Sequence, residues 1–65
     1  PPVEVALLVP PGREDVVARL YREGEVLAAE PGERGTFVRA RVGERLLPEV
    51  RELVVEPARA RVRGR

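Results

Sequence analysis

The chain has 65 residues, which allows one domain with a small core, near the lower size limit for folding without disulfides or metals. It contains no cysteine and no histidine, which excludes disulfide bonds, thiolate chemistry, structural zinc and catalysis by imidazole. The net charge of +1 conceals an uneven distribution, because residues 1–57 hold all 11 acidic residues while residues 58–65 hold only arginine charges. A nucleic-acid interaction would therefore depend on the tail or on one face of the body.

The amino-acid usage also bears on the source and the compartment. All 12 basic residues are arginine, and Asn, Gln, Ser, Met and Cys are absent, which is typical of thermophile proteins depleted in heat-labile side chains. The chain opens on Pro1-Pro2 without an initiator Met and has no apolar run long enough for a membrane span or a signal peptide. We interpret it as a cytoplasmic fragment of a larger thermophile protein.

The first predicted element is a strand over residues 3–9, where apolar residues alternate with the period of a half-buried strand. The alternation places four residues on one face: Val3, Val5, Leu7 and Val9. The sequence Pro10-Pro11-Gly12 ends the strand, because these residues favour a turn.

From Arg13 the apolar spacing becomes helical. One stripe of the predicted helix is formed by Val16, Val17, Leu20 and Tyr21. Glu14 and Asp15 lie in its first turn, where negative charge complements the helix dipole, and Gly24 suits its C-terminal cap.

Residues 25–30 and 36–42 are predicted to form the two strands of a hairpin, joined by the Gly- and Pro-rich turn 31–35. The returning strand puts Thr36, Val38, Ala40 and Val42 on one face, and on the other Phe37, Arg39 and Arg41.

A second helix is indicated by the spacing of Leu46, Val50 and Leu53. Pro48 lacks an amide hydrogen, so it must either lie in the first turn of this helix or begin a short helix after a break. Both alternatives are compatible with the sequence.

Residues 53–56 are predicted to form a short last strand that Pro57 closes. The tail 58–65 has neither apolar mass nor helical periodicity, and we expect it to be disordered in isolation.

The predicted order of strand, helix, strand, strand, helix and strand is the ferredoxin-like βαββαβ arrangement of the α+β class. It puts two helices on one face of a four-stranded antiparallel sheet within residues 1–57. The predicted inward set is Val3, Val5, Leu7, Val9, Val16, Leu20, Val38, Ala40, Val42, Leu46, Val50 and Leu53.

No catalytic, cofactor-binding or metal-binding site is predicted in the chain. The Pro10–Gly12 segment lacks the glycine spacing and the lysine of a phosphate loop, and the acids that follow would repel an anion. The pairs Glu14/Asp15 and Glu23/Glu25 have no apolar or histidine-like neighbours that would shift a pKa or complete a coordination shell. We interpret them as residues of solvated helix faces.

Two groups of residues are candidates for contact with a partner. Phe37 with Arg39 and Arg41 suits RNA or an acidic protein, although the same residues also fit an ordinary solvated sheet face. The segment 34–38 is similar to the stacking strand of an RNA-recognition motif, but it offers one aromatic where such strands offer two or three. The tail residues Arg59, Arg61, Arg63 and Arg65 fit either phosphate contacts or a linker.

The run 12–27, with its Gly-Glu-Val-Leu end, followed by a hairpin and Val38-Arg39-Ala40-Arg41-Val42, resembles the C-terminal domain of HflX-type GTPases. The resemblance covers residues 3–56. It implies a parent chain with a P-loop G domain that binds GTP and Mg²⁺ and associates with the large ribosomal subunit. This chain would then be a monomeric, non-catalytic accessory domain that contacts the ribosome or the parent's own G domain.

Three other ferredoxin-like functions can be weighed against the residues present. Metal-carrying modules use a cysteine pair and acylphosphatases use an asparagine, and the chain has neither residue. Regulatory ACT modules remain the alternative, because Pro11-Gly12 before a helix and Gly24 after it resemble their ligand-loop pattern. Their usual acidic residue before Pro-Gly is missing.

Overall fold

The computed structural model describes residues 1–56. In chain order it contains β1 (Val3–Val9), α1 (Glu14–Glu23), β2 (Glu25–Gly32), β3 (Gly35–Val42), α2 (Leu47–Val50), a 3₁₀ turn (Arg51–Leu53) and β4 (Val54–Glu56). Residues 57–65, including the predicted tail, lie outside the described residues.

The four strands form one antiparallel sheet in the order β2-β3-β1-β4. Buried residues of α1 and α2 join a single cluster with those of β1 and β3, so both helices cover the same face of the sheet. The predicted α+β, ferredoxin-like βαββαβ arrangement is confirmed.

The core lies between this face and the helices. Its buried residues are Val5, Leu7, Val9, Val16, Leu20, Val38, Ala40, Val42, Leu46 and Val50, with Val3 and Leu53 partly buried against them. All twelve residues of the predicted inward set therefore belong to the core. The strand alternation and the helical spacing are sufficient to identify them, because each pattern is local.

Two details of α1 differ from the prediction or refine it. The predicted place of Tyr21 on the apolar stripe is wrong, since 61% of the residue is exposed. Consecutive helical residues are about 100° apart, so Tyr21 turns away from the sheet when Leu20 points into it. Gly24 caps the helix as predicted, with its N–H donating to the carbonyl of Leu20 at 2.9 Å.

Helix α2 is a single turn in which Pro48 is the second residue, followed by the 3₁₀ turn. Pro48 therefore lies in the first turn of the helix, which is the first of the two alternatives left open by the sequence. Proline is tolerated there because a first-turn amide has no partner within the helix. One turn of four residues gains little from its own hydrogen bonds, so its stability comes from the burial of Leu46 and Val50.

Two glycines have positive φ angles and fix the connections at one end of the sheet. The N–H of Arg13 donates to the carbonyl of Pro10 at 3.1 Å, with Pro11 and Gly12 (φ +92°) between them, which is the residue pattern of a type II turn. Gly35 (φ +132°) begins β3, and a Cβ there would overlap the carbonyl oxygen of Val9.

Candidate interaction surface

The face of the sheet opposite the helices, here called the open face, carries the first group of predicted contact residues. Cross-strand partners share a face, so the register identifies its members. Nine residues of β1, β2 and β3 belong to it: Glu4, Ala6, Leu8, Glu25, Ala28, Glu30, Phe37, Arg39 and Arg41.

One end of the open face is apolar. Phe37 of β3 pairs with Leu8 of β1 on one side and with Glu30 of β2 on the other. The phenylalanine is 40% exposed and Leu8 is half-buried. An aromatic side chain of this exposure leaves apolar surface in water, and a partner that covered it would gain the free energy of burying that surface.

The other end of the open face is a cross-strand ion-pair network. Arg41 lies between two carboxylates, with Nη1 3.3 Å from Oε1 of Glu25 and Nε 3.9 Å from Oε1 of Glu4. Arg39 Nη1 lies 3.3 Å from Oε2 of the same Glu4. The two guanidinium groups are thus neutralised by residues of their own sheet, and this end presents little net positive charge.

Ala6 shows how closely the open face is packed. Its cross-strand partner is Arg39, and although it faces away from the helices it is fully buried. Arginine side chains cover apolar surface with their methylene groups while the charged end reaches water. Arg39 therefore lies beside a buried alanine, on the same face as the exposed Phe37.

Two of the three carboxylates of α1 are paired with nearby arginines. Asp15 accepts two hydrogen bonds from Arg13, at 3.0 and 3.2 Å, and these hold the pKa of its carboxyl below the ordinary value. Glu23 accepts from Arg19 at 3.1 Å, one helical turn earlier. The hydrogen bonds from Arg13 favour the charged form of Asp15, which is the opposite of what a general acid needs.

Arg19 also links the two helices. Its guanidinium group donates to Glu49 of α2 as well as to Glu23, and both hydrogen bonds raise the pKa of Arg19. The pairs are substantially exposed, so their contribution to stability is small and their main effect is to orient α2.

The turn between β1 and α1 has no geometry suited to an anion. A carboxylate oxygen of Glu14 accepts from the N–H of Gly12 at 3.4 Å. The Gly12 N–H, which a bound phosphate would need as a donor, therefore already donates to the Glu14 carboxylate.

Two shallow depressions lie at the opposite end of the sheet from this turn. They have volumes of about 390 and 420 Å³ and share Glu23 and Gly43 in their walls. Arg41 lines the first and Arg45 the second, so each combines carboxylates with one guanidinium group.

No protein-family model and no curated protein sequence matches this chain.

Within residues 1–56 no three acidic side chains come together as a cation site. In the same part of the chain, no helix has the length and apolar composition needed to cross a membrane. The tail residues, which fit either phosphate contacts or a linker, lie beyond this part of the chain: Arg59, Arg61, Arg63 and Arg65.

The structure brings together Phe37, Arg39 and Arg41 as predicted, but it adds partners that the sequence alone did not identify. Glu4 contacts both arginines. Predicting these contacts would require knowing that β1 pairs with β3 in the register that places Glu4 opposite Arg41. Strand periodicity gives the face of a residue and not its cross-strand neighbour. The sequence shows only that Glu4 alternates with the inward-facing residues of β1 and therefore lies on its outward side.

Proposed function

We propose that this chain is a non-catalytic accessory domain of an HflX-type GTPase that associates with the large ribosomal subunit. In this proposal the open face packs against protein, either a ribosomal protein or the parent's own G domain. The observation that carries it is the position of Phe37, an exposed aromatic at the apolar end of a sheet face that, within residues 1–56, no helix covers. The sequence resemblance over residues 3–56 supplies the family.

The ion pairs favour protein over RNA as the partner of the open face. A phosphate approaching Arg39 or Arg41 would have to compete with Glu4 and Glu25, whose carboxylates are already within 4 Å of the guanidinium groups. Phosphate binding depends on cations that are free to replace bound counterions. Covering Phe37 and Leu8 requires no such exchange, because it only removes apolar surface from water.

Nucleotide chemistry belongs to the parent chain in this proposal. A phosphate loop needs a glycine-rich turn, a lysine and a Mg²⁺-ligating serine or threonine in one motif. The sequence has no lysine and no serine, and the Gly12 N–H in the turn before α1 donates to the Glu14 carboxylate. The residues of this domain therefore do not fit GTP or its Mg²⁺.

The test is binding of the parent GTPase to the large ribosomal subunit, with variants in this domain. Phe37→Ala should weaken binding or the docking of the domain on its G domain by about tenfold, since aromatic residues dominate such interfaces. Tyr21→Ala is the matched control, because it removes an exposed aromatic from the helix side of the sheet. Equal effects of the two variants would contradict the role of the open face.

A second comparison separates the open face from the tail. Deleting residues 58–65 should reduce the slope of log affinity against log salt by roughly 0.7–0.9 for each phosphate that the tail neutralises in the intact chain. The double variant Arg39→Ala with Arg41→Ala should leave that slope unchanged, because both arginines are paired within the sheet. A slope that falls in the double variant would favour RNA at the open face.

The ACT-like alternative places a small ligand at the turn between β1 and α1. There the Glu14 carboxylate accepts the Gly12 amide, while the described depressions lie at the other end of the sheet. Thermal unfolding with and without each of the common amino acids tests it, because a bound ligand raises the melting temperature. A rise with one amino acid would favour this alternative over the accessory-domain proposal.

A further inference from the structure

Strand β2 is a long edge of the sheet. It lies at the end of the order β2-β3-β1-β4 and extends over Glu25–Gly32, and all of its residues except Val26 are exposed. An edge strand presents unpaired backbone N–H and C=O groups on its outer side. The opposite edge, β4, extends over only three residues of the described chain.

The two sides of β2 differ in chemistry. On the open face lie Glu25 and Glu30 with Ala28 between them, and on the helix side lie Ala29 and Pro31. Arg41 neutralises Glu25. The Glu30 carboxylate, in contrast, makes no ion pair or hydrogen bond with any other of residues 1–56.

We propose that the outer edge of β2 binds an extended segment of a partner protein by strand addition. The added strand carries basic residues on the open face, where one of them lies beside Glu30. On the helix side it carries apolar residues, which cover Ala29. The alternation of the partner follows from the pleat, because successive side chains of a strand point to opposite faces.

A second copy of this chain fits the edge poorly through its own β2. Every acidic or basic residue within β2 is a glutamate, so antiparallel pairing of two β2 strands brings like charges close together. The register also breaks between Val26 and Ala28, and Pro31 lacks an amide hydrogen, which limits the free segment to a few residues. A short basic strand avoids the charge repulsion and fits within the free segment.

This edge adjoins the open face at Glu30, the cross-strand partner of Phe37, but a partner reaches the two surfaces from different directions. Covering Phe37 requires approach along the normal of the sheet, whereas strand addition takes place in its plane. A failure of Phe37→Ala to weaken binding to the ribosomal subunit would leave the β2 inference intact. A failure of strand addition would likewise leave the role of Phe37 intact.

The test uses the full 65-residue chain labelled with ¹⁵N and an acetylated, amidated peptide, Thr-Val-Arg-Val-Arg-Val-Thr. Addition of the peptide should shift the amide resonances of residues 27–30 and slow hydrogen exchange at the outward-facing amides of β2. A peptide in which both arginines are replaced by glutamate should bind about fivefold to tenfold more weakly.

Two charge reversals form the matched pair of variants. Glu30→Arg should weaken binding of the basic peptide by about fivefold to tenfold and should strengthen binding of the acidic one, because the cross-strand charges are exchanged. Glu33→Arg is the control, since it reverses an exposed carboxylate in the turn between β2 and β3 and should change affinity by less than about twofold.

Three results would overturn the inference. The first is that the two peptides bind the wild-type chain equally, and the second is that the resonance shifts lie at Phe37 or in the depressions near Gly43 while residues 27–30 are unchanged. The third is a dimer in sedimentation equilibrium whose protected amides lie in β2, which would assign the edge to a second copy.

Discussion

Replacing Gly35 by alanine should cost far more stability than the same replacement at Gly12. Both glycines have positive φ, so a side chain at either position costs about 1–2 kcal/mol of backbone strain. The positions differ in their surroundings. No atom lies within 4 Å of a Cβ at Gly12, while a Cβ at Gly35 would overlap the carbonyl oxygen of Val9 and lie 2.8 Å from the Cα of Pro10.

The overlap at Gly35 can be relieved only by moving the start of β3 away from the end of β1. This loosens the terminal pair of the ladder, Val9 with Thr36. Breaking one or two backbone hydrogen bonds adds about 0.5–1.5 kcal/mol for each. The total of about 2–5 kcal/mol is comparable to the free energy of unfolding of a domain this small, about 3–5 kcal/mol.

Urea unfolding followed by circular dichroism, with thermal melts of the same samples, measures both variants. Gly12→Ala should lower the melting temperature by about 5–15 °C, and Gly35→Ala by about 2–25 °C more, or it should fail to fold. Equal decreases of stability in the two variants would refute the close approach of β3 to β1 at Gly35, because backbone strain alone would then account for both.

Three further predictions concern the core, the turn and nucleotide binding. Leu20→Ala and Val38→Ala should each cost about 1–5 kcal/mol, since both side chains are fully buried, and a melting temperature within about two degrees of wild type would contradict this. Arg13→Ala should raise the pKa of the Asp15 carboxyl in an NMR titration. Because folding lowers the pKa of Asp15, the Arg13–Asp15 pair stabilises the fold fully above the ordinary pKa of an aspartate. This stabilisation is lost as the pH falls through the lowered pKa of the folded state. Labelled GTP should show no micromolar binding to the isolated chain, and saturation in that range would be inconsistent with the absent phosphate loop.

The elements that depend on local periodicity were predictable from the sequence. The alternation in β1 and β3 and the spacing of Val16 and Leu20 each involve neighbours within one element. The order of elements then limits the topology, because connections between consecutive elements are short and right-handed where they cross over. The core followed from the same information.

Features that depend on pairing between distant elements were not predictable. The contact of Glu4 with Arg39 and Arg41 requires the β1–β3 register, and the irregularity at Leu27 requires the β2–β3 register. The outward direction of Tyr21 depends on the rotation of α1 about its own axis, which a four-residue apolar stripe leaves undetermined by tens of degrees.

The central position of β1 in the sheet determines the order in which the protein can fold during synthesis. Of the described elements β1 comes first in the chain, yet its partners are β3, which ends at Val42, and β4, which begins at Val54. Its apolar side chains therefore remain without a sheet until more than half of the domain has been made, while the local β2–β3 hairpin can form without β1. Closure of the sheet by such non-local pairing sets the folding rate of the domain.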